Sequence, residues 1–151
     1  MSPTTPPPNP HLPPARAAEL HRVVTRTTRW ATDRPDIAGL LLVGSCARGA
    51  AGAGSDVDLV LLTDEPEAYA GTAWAGQLGL PVAVRTRRWG AVVERRFATP
   101  SGLEVEFAIG PPSWADTSPL DPGTRRVVGD GALVLHDPAG LLARLVEACR
   151  G

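Results

Sequence analysis

The sequence contains no lysine. Its 15 basic residues are all arginine, set against 16 acidic ones. A formal net charge of −1 argues against a dedicated nucleic-acid binder. It also means that any side-chain cation meeting a phosphate must be a guanidinium. Cysteine is scarce as well. Cys46 and Cys149 are far apart and belong to no CxxC or Cys/His set, so their spacing argues against structural zinc and gives no support to a disulfide. His11, His21 and His136 are scattered, and none falls into a serine–histidine–acid pattern. No apolar run reaches the ~18 residues that a membrane helix needs, and the first residues lack the charged and apolar regions of a secretory signal. The expected setting is the cytoplasm, without a membrane partner and with nucleic acid disfavoured.

Proline, glycine and alanine are plentiful. Seven prolines fall in residues 1–14, MSPTTPPPNPHLPP, which excludes helix and sheet interiors there and predicts a disordered, partly polyproline-like arm. Residues 15–151 are expected to form one domain, with 43% hydrophobic residues to supply its core. The spacing of Ala17, Leu20, Val23, Val24 and Trp30 predicts a helix over 15–32 that the Asp33–Asp36 segment breaks. Residues 37–43 (IAGLLLV) read as a buried strand and 56–62 (DVDLVLL) as another, with a Gly-rich stretch, 44–54, between them. A helix is expected over 65–79, and two strands, 81–89 and 91–98, on either side of Gly90. Residues 103–109 alternate strictly, with Leu103, Val105, Phe107 and Ile109 on one face and Glu104, Glu106 and Ala108 on the other. A short strand over 132–136 precedes a helix over 138–149, with Asp137 as its N-cap and Pro138 at its first position. The class is α/β (α+β), a mixed β-sheet flanked by helices.

Chemistry concentrates between Gly44 and Leu59, in GSCARGAAGAGSDVDL. On a strand, Asp56 and Asp58 point to one face, about 7 Å apart. Two carboxylates so placed repel each other, and a hard, oxygen-loving cation such as Mg²⁺ relieves the repulsion. A third carboxylate from a neighbouring strand would complete a two-metal site. Glu106, in mid-strand, is preferred for that place; Glu104, nearer the strand start, is the alternative. Gly44 lets backbone approach a phosphate closely, Ser45 offers its hydroxyl and its amide, and a helix opening near residue 46 would add free N–H groups. Each part alone says little. An isolated Asp-x-Asp is usually a solvated turn, and an isolated Gly-Ser means almost nothing. The Gly-rich stretch has neither GxGxxG nor GK[ST], so the dinucleotide and P-loop readings both fail. The combination is what carries information.

That combination resembles the signature of the polymerase β-type nucleotidyltransferases: a hydrophobic strand, Gly-Ser, a ten-residue spacer, then Asp-hydrophobic-Asp in a second strand. The spacing is similar to that of the minimal nucleotidyltransferases and their antibiotic-modifying relatives, and Ala47, Arg48, Gly49 and Ser55 also fit. The resemblance implies a polymerase β-like nucleotidyltransferase fold over 15–109. It implies metal binding by Asp56 and Asp58 with Glu106, two Mg²⁺ ions, and β- and γ-phosphates held at Gly44 and Ser45. The expected activity is transfer of a nucleoside monophosphate, AMP from ATP, to a hydroxyl acceptor on a small molecule or a protein. The alternative is a weak or inactive domain that acts by binding a protein partner, in the manner of an antitoxin. Arg48 either reaches a phosphate or a site carboxylate, or fixes the loop. Cys46 is expected to pack beneath the loop. Trp114 lines an acceptor pocket or packs in the core. The arginines at 85, 87, 88, 95 and 96 either attract an anion or form a solvated hairpin face.

Overall fold

Short apolar runs have room for a strand but not for a stable helix, and two of them, 37–43 and 59–62, build the centre of this protein. The computed structural model describes residues 6–52 and 54–150. Strand β1 (Ile37–Val43) and strand β2 (Val57–Thr63) pair antiparallel. Strands β3 (Val82–Trp89) and β4 (Val92–Ala98) form the expected hairpin, and β5 (Glu104–Gly110) and β6 (Ala132–His136) complete a six-stranded sheet of order β3-β4-β5-β2-β1-β6. All its pairings are antiparallel except β2 with β5. That parallel pair sets Asp58 directly beside Glu106.

Helix α1 (Pro14–Thr32) opens on a proline at a position where no backbone bond is lost. It buries Leu20, Val23, Val24, Thr27 and Ala31 against one sheet face. The same layer holds an aromatic cluster, with Trp30 stacked on Trp74 at 5.7 Å and Trp74 edge-on to Phe107 at 5.1 Å. On the other face, α4 (Pro122–Gly129) and α5 (Leu141–Cys149) cover Leu41, Val43, Val60 and Leu62 with Val128, Leu142 and Leu145. That cover stops at the β1–β2 half. The edge strand β3 is exposed along its whole length, with Trp89 60% accessible.

Several expectations need correction. The helix over 65–79 is instead a 3₁₀ turn, Pro66–Tyr69, and a single-turn helix, α3 (Ala73–Gly76). Trp74 is drawn into the aromatic cluster and donates its indole N–H to the Gly71 carbonyl at 2.8 Å, so packing overrides helix propensity. The last helix starts at Leu141 after Gly140 in the left-handed region (φ +74°). Asp137 still caps it, accepting from the Leu142 and Ala143 amides at 2.9 Å each. Helix α4 was not expected, although Asp121-Pro122 repeats that Asp-Pro signal and Asp121 accepts from the Thr124 amide at 3.0 Å. Residues 1–5 of the expected disordered arm lie outside the described residues. Its remainder is anchored, because Asn9 and Leu12 are both buried against the domain.

Candidate active site

Strand β1 delivers the chain to Gly44, whose φ of +75° lies in the left-handed region. That conformation favours glycine, and a β-carbon added there would sit tightly, 3.2 Å from the Asp58 carboxylate. The one-turn helix α2 (Ser45–Arg48) follows. The chain then returns to Asp56 through the Gly-rich stretch, which hydrogen bonds tie down. The Ala50 amide donates to the Ser45 carbonyl at 2.9 Å, and the Cys46 thiol donates to the Asp56 carbonyl at 3.3 Å. The Ala51 amide donates to Asn9 Oδ1 of the N-terminal segment at 2.8 Å. Cys46 packs beneath this loop as expected. Burial first, then the charges of Asp58 and Asp56, push its thiol up to about 11, which leaves it protonated and unsuited to nucleophilic work.

The acids gather on the sheet face opposite α1. Asp56 lies one residue before β2 and Asp58 lies within it. Glu106 is the register partner of Asp58, whereas Glu104 stands beyond the first paired residue of β2. The Glu106 side chain is 16% exposed and that of Glu104 is 40% exposed, so Glu106 sits deeper beside Asp58. Arg96 on β4 faces Glu106 across the β4–β5 pair. Its guanidinium reaches Asp56 at 2.5 Å, Glu104 at 3.2 Å and Glu106 at 3.3 Å. Arg85 approaches Glu106 at 3.5 Å. Burial opposes the charge on Arg96, yet the hydrogen bond to Asp56 and the charges of Glu106 and Asp56 hold its pKa above the ordinary arginine value. Asp58 has no ion pair among the described residues. Burial, then Glu106 and Asp56, push its carboxyl up to about 6, with only partial relief from Arg96.

This arrangement tests whether a divalent cation fits. The donors are all carboxylate oxygens, which suits Mg²⁺. Asp58 and Glu106 are a register pair, and Asp58 is raised by burial first and then by the charges of Glu106 and Asp56, both of which a bound cation would offset. Among the described residues, no three acids, histidines or cysteines stand together as a finished metal cluster. Arg96 contacts three of the four acids, Asp56, Glu104 and Glu106. The residues therefore fit such an ion in type and charge, with an arginine holding part of the donor set.

Arg48 meets no site carboxylate. It donates to the Asp130 carbonyl and braces α2 against the loop before β6. Trp114 packs among the residues under α4 and α5, and it also lines a cavity of about 630 Å³ with Gly44, Asp58, Glu106 and Trp89. A separate cavity of about 550 Å³ runs along α1 past Arg22, Arg26 and Arg29 and includes none of the site acids. Two residues escaped the sequence reading: Arg96, one of five hairpin arginines read as either attracting an anion or forming a solvated face, and Asn9, which holds the loop before Asp56 from within a proline-rich segment. The pairing register between β4 and β5 would have revealed the first; composition held no signal for the second.

Residues 28–104 match a family described as nucleotidyltransferase domain, a span that includes Gly44, Ser45, Asp56 and Asp58 and ends two residues before Glu106. No curated protein sequence matches. Among solved structures, the chain is similar to Cid1, whose RNA terminal uridylyl transferase activity is named with it. That match has 18% identity over 66% of this chain and 32% of that one, with a TM-score of 0.47. It is similar to an aminoglycoside 6-adenyltransferase from Bacillus subtilis, with 12% identity over 62% and 35% and a TM-score of 0.44. It is also similar to the Thermotoga maritima CCA-adding enzyme, with 15% identity over 89% and 32% and a TM-score of 0.42. The chain spans about a third of the length of each.

Proposed function

Because the chain belongs to the nucleotidyltransferase domain family, we propose that it transfers a nucleoside monophosphate, AMP from ATP, to a hydroxyl on a small molecule or a protein. One observation carries this reading: Asp58 and Glu106 face each other in register beside Gly44, on the sheet face that α4 and α5 leave partly uncovered. Asp58, Glu106 and Asp56 are the residues that would hold Mg²⁺. When bound, the ions stabilise negative charge on the reacting phosphate and the leaving group. The chain supplies the rest. Gly44 allows the triphosphate to approach the backbone, and Ser45 donates its hydroxyl and amide to the β- and γ-phosphate oxygens. Glu106 accepts the proton of the acceptor hydroxyl. The acceptor oxygen bonds to the α-phosphorus, the bond from that phosphorus to the bridging oxygen breaks, and pyrophosphate leaves. Arg48 serves this site as a brace for α2, in keeping with its bond to Asp130. The 630 Å³ cavity between Trp89 and Trp114 has the size of a small-molecule site.

A second reading has its own support. Arg96 pairs with Asp56, Glu104 and Glu106 at once, so a protein cation holds these acids together, as a domain that only binds a protein partner would allow. ATP labelled at the α-phosphate separates the two. With Mg²⁺, the enzyme reading expects pyrophosphate release, and label transfer when an acceptor is present, both abolished in Asp56→Ala. Absence of any metal-dependent nucleotide binding in the wild type favours the binding module.

A further inference from the structure

The Arg96 guanidinium reaches three carboxylates, with Asp56 and Glu104 on one nitrogen and Glu106 on the other. The Arg96 side chain is only 13% exposed and that of Glu106 16%, so solvent weakens this pair least, while Asp56 and Glu104 are more open. Its Nε is buried and has no hydrogen-bond partner, so the carboxylates are what hold the group in place. Four acids, Asp56, Asp58, Glu104 and Glu106, share two nearby arginines, Arg96 and Arg85. The oxygens that Arg96 occupies belong to two of the three acids assigned above to the metal.

We propose that Arg96 is an internal counter-cation that competes with the divalent metal for Asp56 and Glu106, and so sets the metal concentration at which the centre loads. The inference rests on the reading of those acids as metal ligands. Arginine does not give up its proton in a protein, so it cannot yield the site by neutralising. Loading requires the guanidinium to swing off the carboxylates. An apo centre without Arg96 would leave like charges facing each other on adjacent strands. The arginine therefore stabilises the metal-free protein and weakens its hold on metal through the same contacts. Arg96 is a positioning residue in this account.

The test is a Mn²⁺ titration, followed by electron paramagnetic resonance, on wild type, Arg96→Gln and Arg96→Lys, alone and with a non-hydrolysable ATP analogue. Arg96→Gln is expected to bind Mn²⁺ about tenfold more tightly, and Arg96→Lys, which keeps the charge on a compact ammonium that cannot bridge three carboxylates as the guanidinium does, to fall between. Melting should show the converse: Arg96→Gln is less stable than wild type in chelator and gains more from Mg²⁺. If Arg96→Gln folds only when Mg²⁺ is present, that result supports the competition too, and Arg96→Lys still gives an affinity. Unchanged or weaker Mn²⁺ binding in both variants, with binding still lost in Asp58→Asn, overturns the competition and leaves the metal site standing. If neither wild type nor the variants bind Mn²⁺, the metal-site reading fails and takes this inference with it.

Discussion

The two ends of the β1–β2 pair handle carboxylates in opposite ways. Just before β1, Asp36 accepts from the Thr63 hydroxyl at 2.8 Å and the Tyr69 hydroxyl at 2.6 Å. Its partners are neutral donors on neighbouring elements, and the contact has an evident structural role. At the other end, four acids crowd one sheet face around a single well-buried arginine, and Asp58 is left without an ion pair among the described residues. Neutral donors satisfy a carboxylate wherever a fold needs to fix a loop. Like charges packed on adjacent strands cost stability, and they persist where a cation or a reaction uses them.

The contrast is broken or sharpened most forcefully by substituting each end. Asp58→Asn should lower pyrophosphate release by roughly a thousandfold or more if the acids bind catalytic metal. Asp36→Asn should leave turnover within a few-fold of wild type while lowering stability by about 1–3 kcal/mol in urea unfolding, since it weakens the bonds to Thr63 and Tyr69. Similar activity losses at both ends would erase the distinction.

A smaller effect concerns pH. Asp58 has its folded-state pKa raised from 3.8 to about 6. Its contribution to stability is therefore fully present below pH 3.8 and is lost as pH rises through about 6. In chelator, the protein should lose on the order of 2 kcal/mol from this group between pH 4 and 7, and Asp58→Asn should flatten that part of the profile. A mutant profile parallel to that of wild type would mean that Asp58 carries no such strain. The smallest effect is expected at Asn9. Asn9→Ala removes the acceptor of the Ala51 amide, and should cost about 1 kcal/mol and raise KM for ATP a few-fold with kcat nearly constant. An equal fall in kcat and stability with no change in KM would make Asn9 an ordinary anchor.

Much of the fold was legible because the strands carry period-two or fully apolar patterns. Leu103, Val105, Phe107 and Ile109 are buried, and Glu104 and Glu106 share the opposite face, as alternation requires. The Asp-x-Asp at the head of β2 was legible for the same reason, although Asp56 falls just outside the strand. What alternation cannot reveal is which strands are neighbours. The parallel pairing of β2 with β5, across an intervening hairpin, places Glu106 beside Asp58. The β4–β5 register brings Arg96 over the acids. In sequence, Arg96 is one of several hairpin arginines; in the fold it alone meets three carboxylates among the described residues. Asn9 was hidden because proline content speaks to backbone conformation and not to burial.

The claim at the centre of this account is that Asp58 and Glu106 hold a divalent ion beside the Gly44–Ser45 turn. A crystal structure with Mn²⁺ and a non-hydrolysable ATP analogue, read at the manganese absorption edge, addresses it directly. The expected result is an anomalous peak bonded to Asp58 and Glu106, with the triphosphate against Ser45 and Arg96 withdrawn from at least one acid. Bound nucleotide with no peak between those two carboxylates, and Arg96 still bridging Asp56 to Glu106, would contradict it.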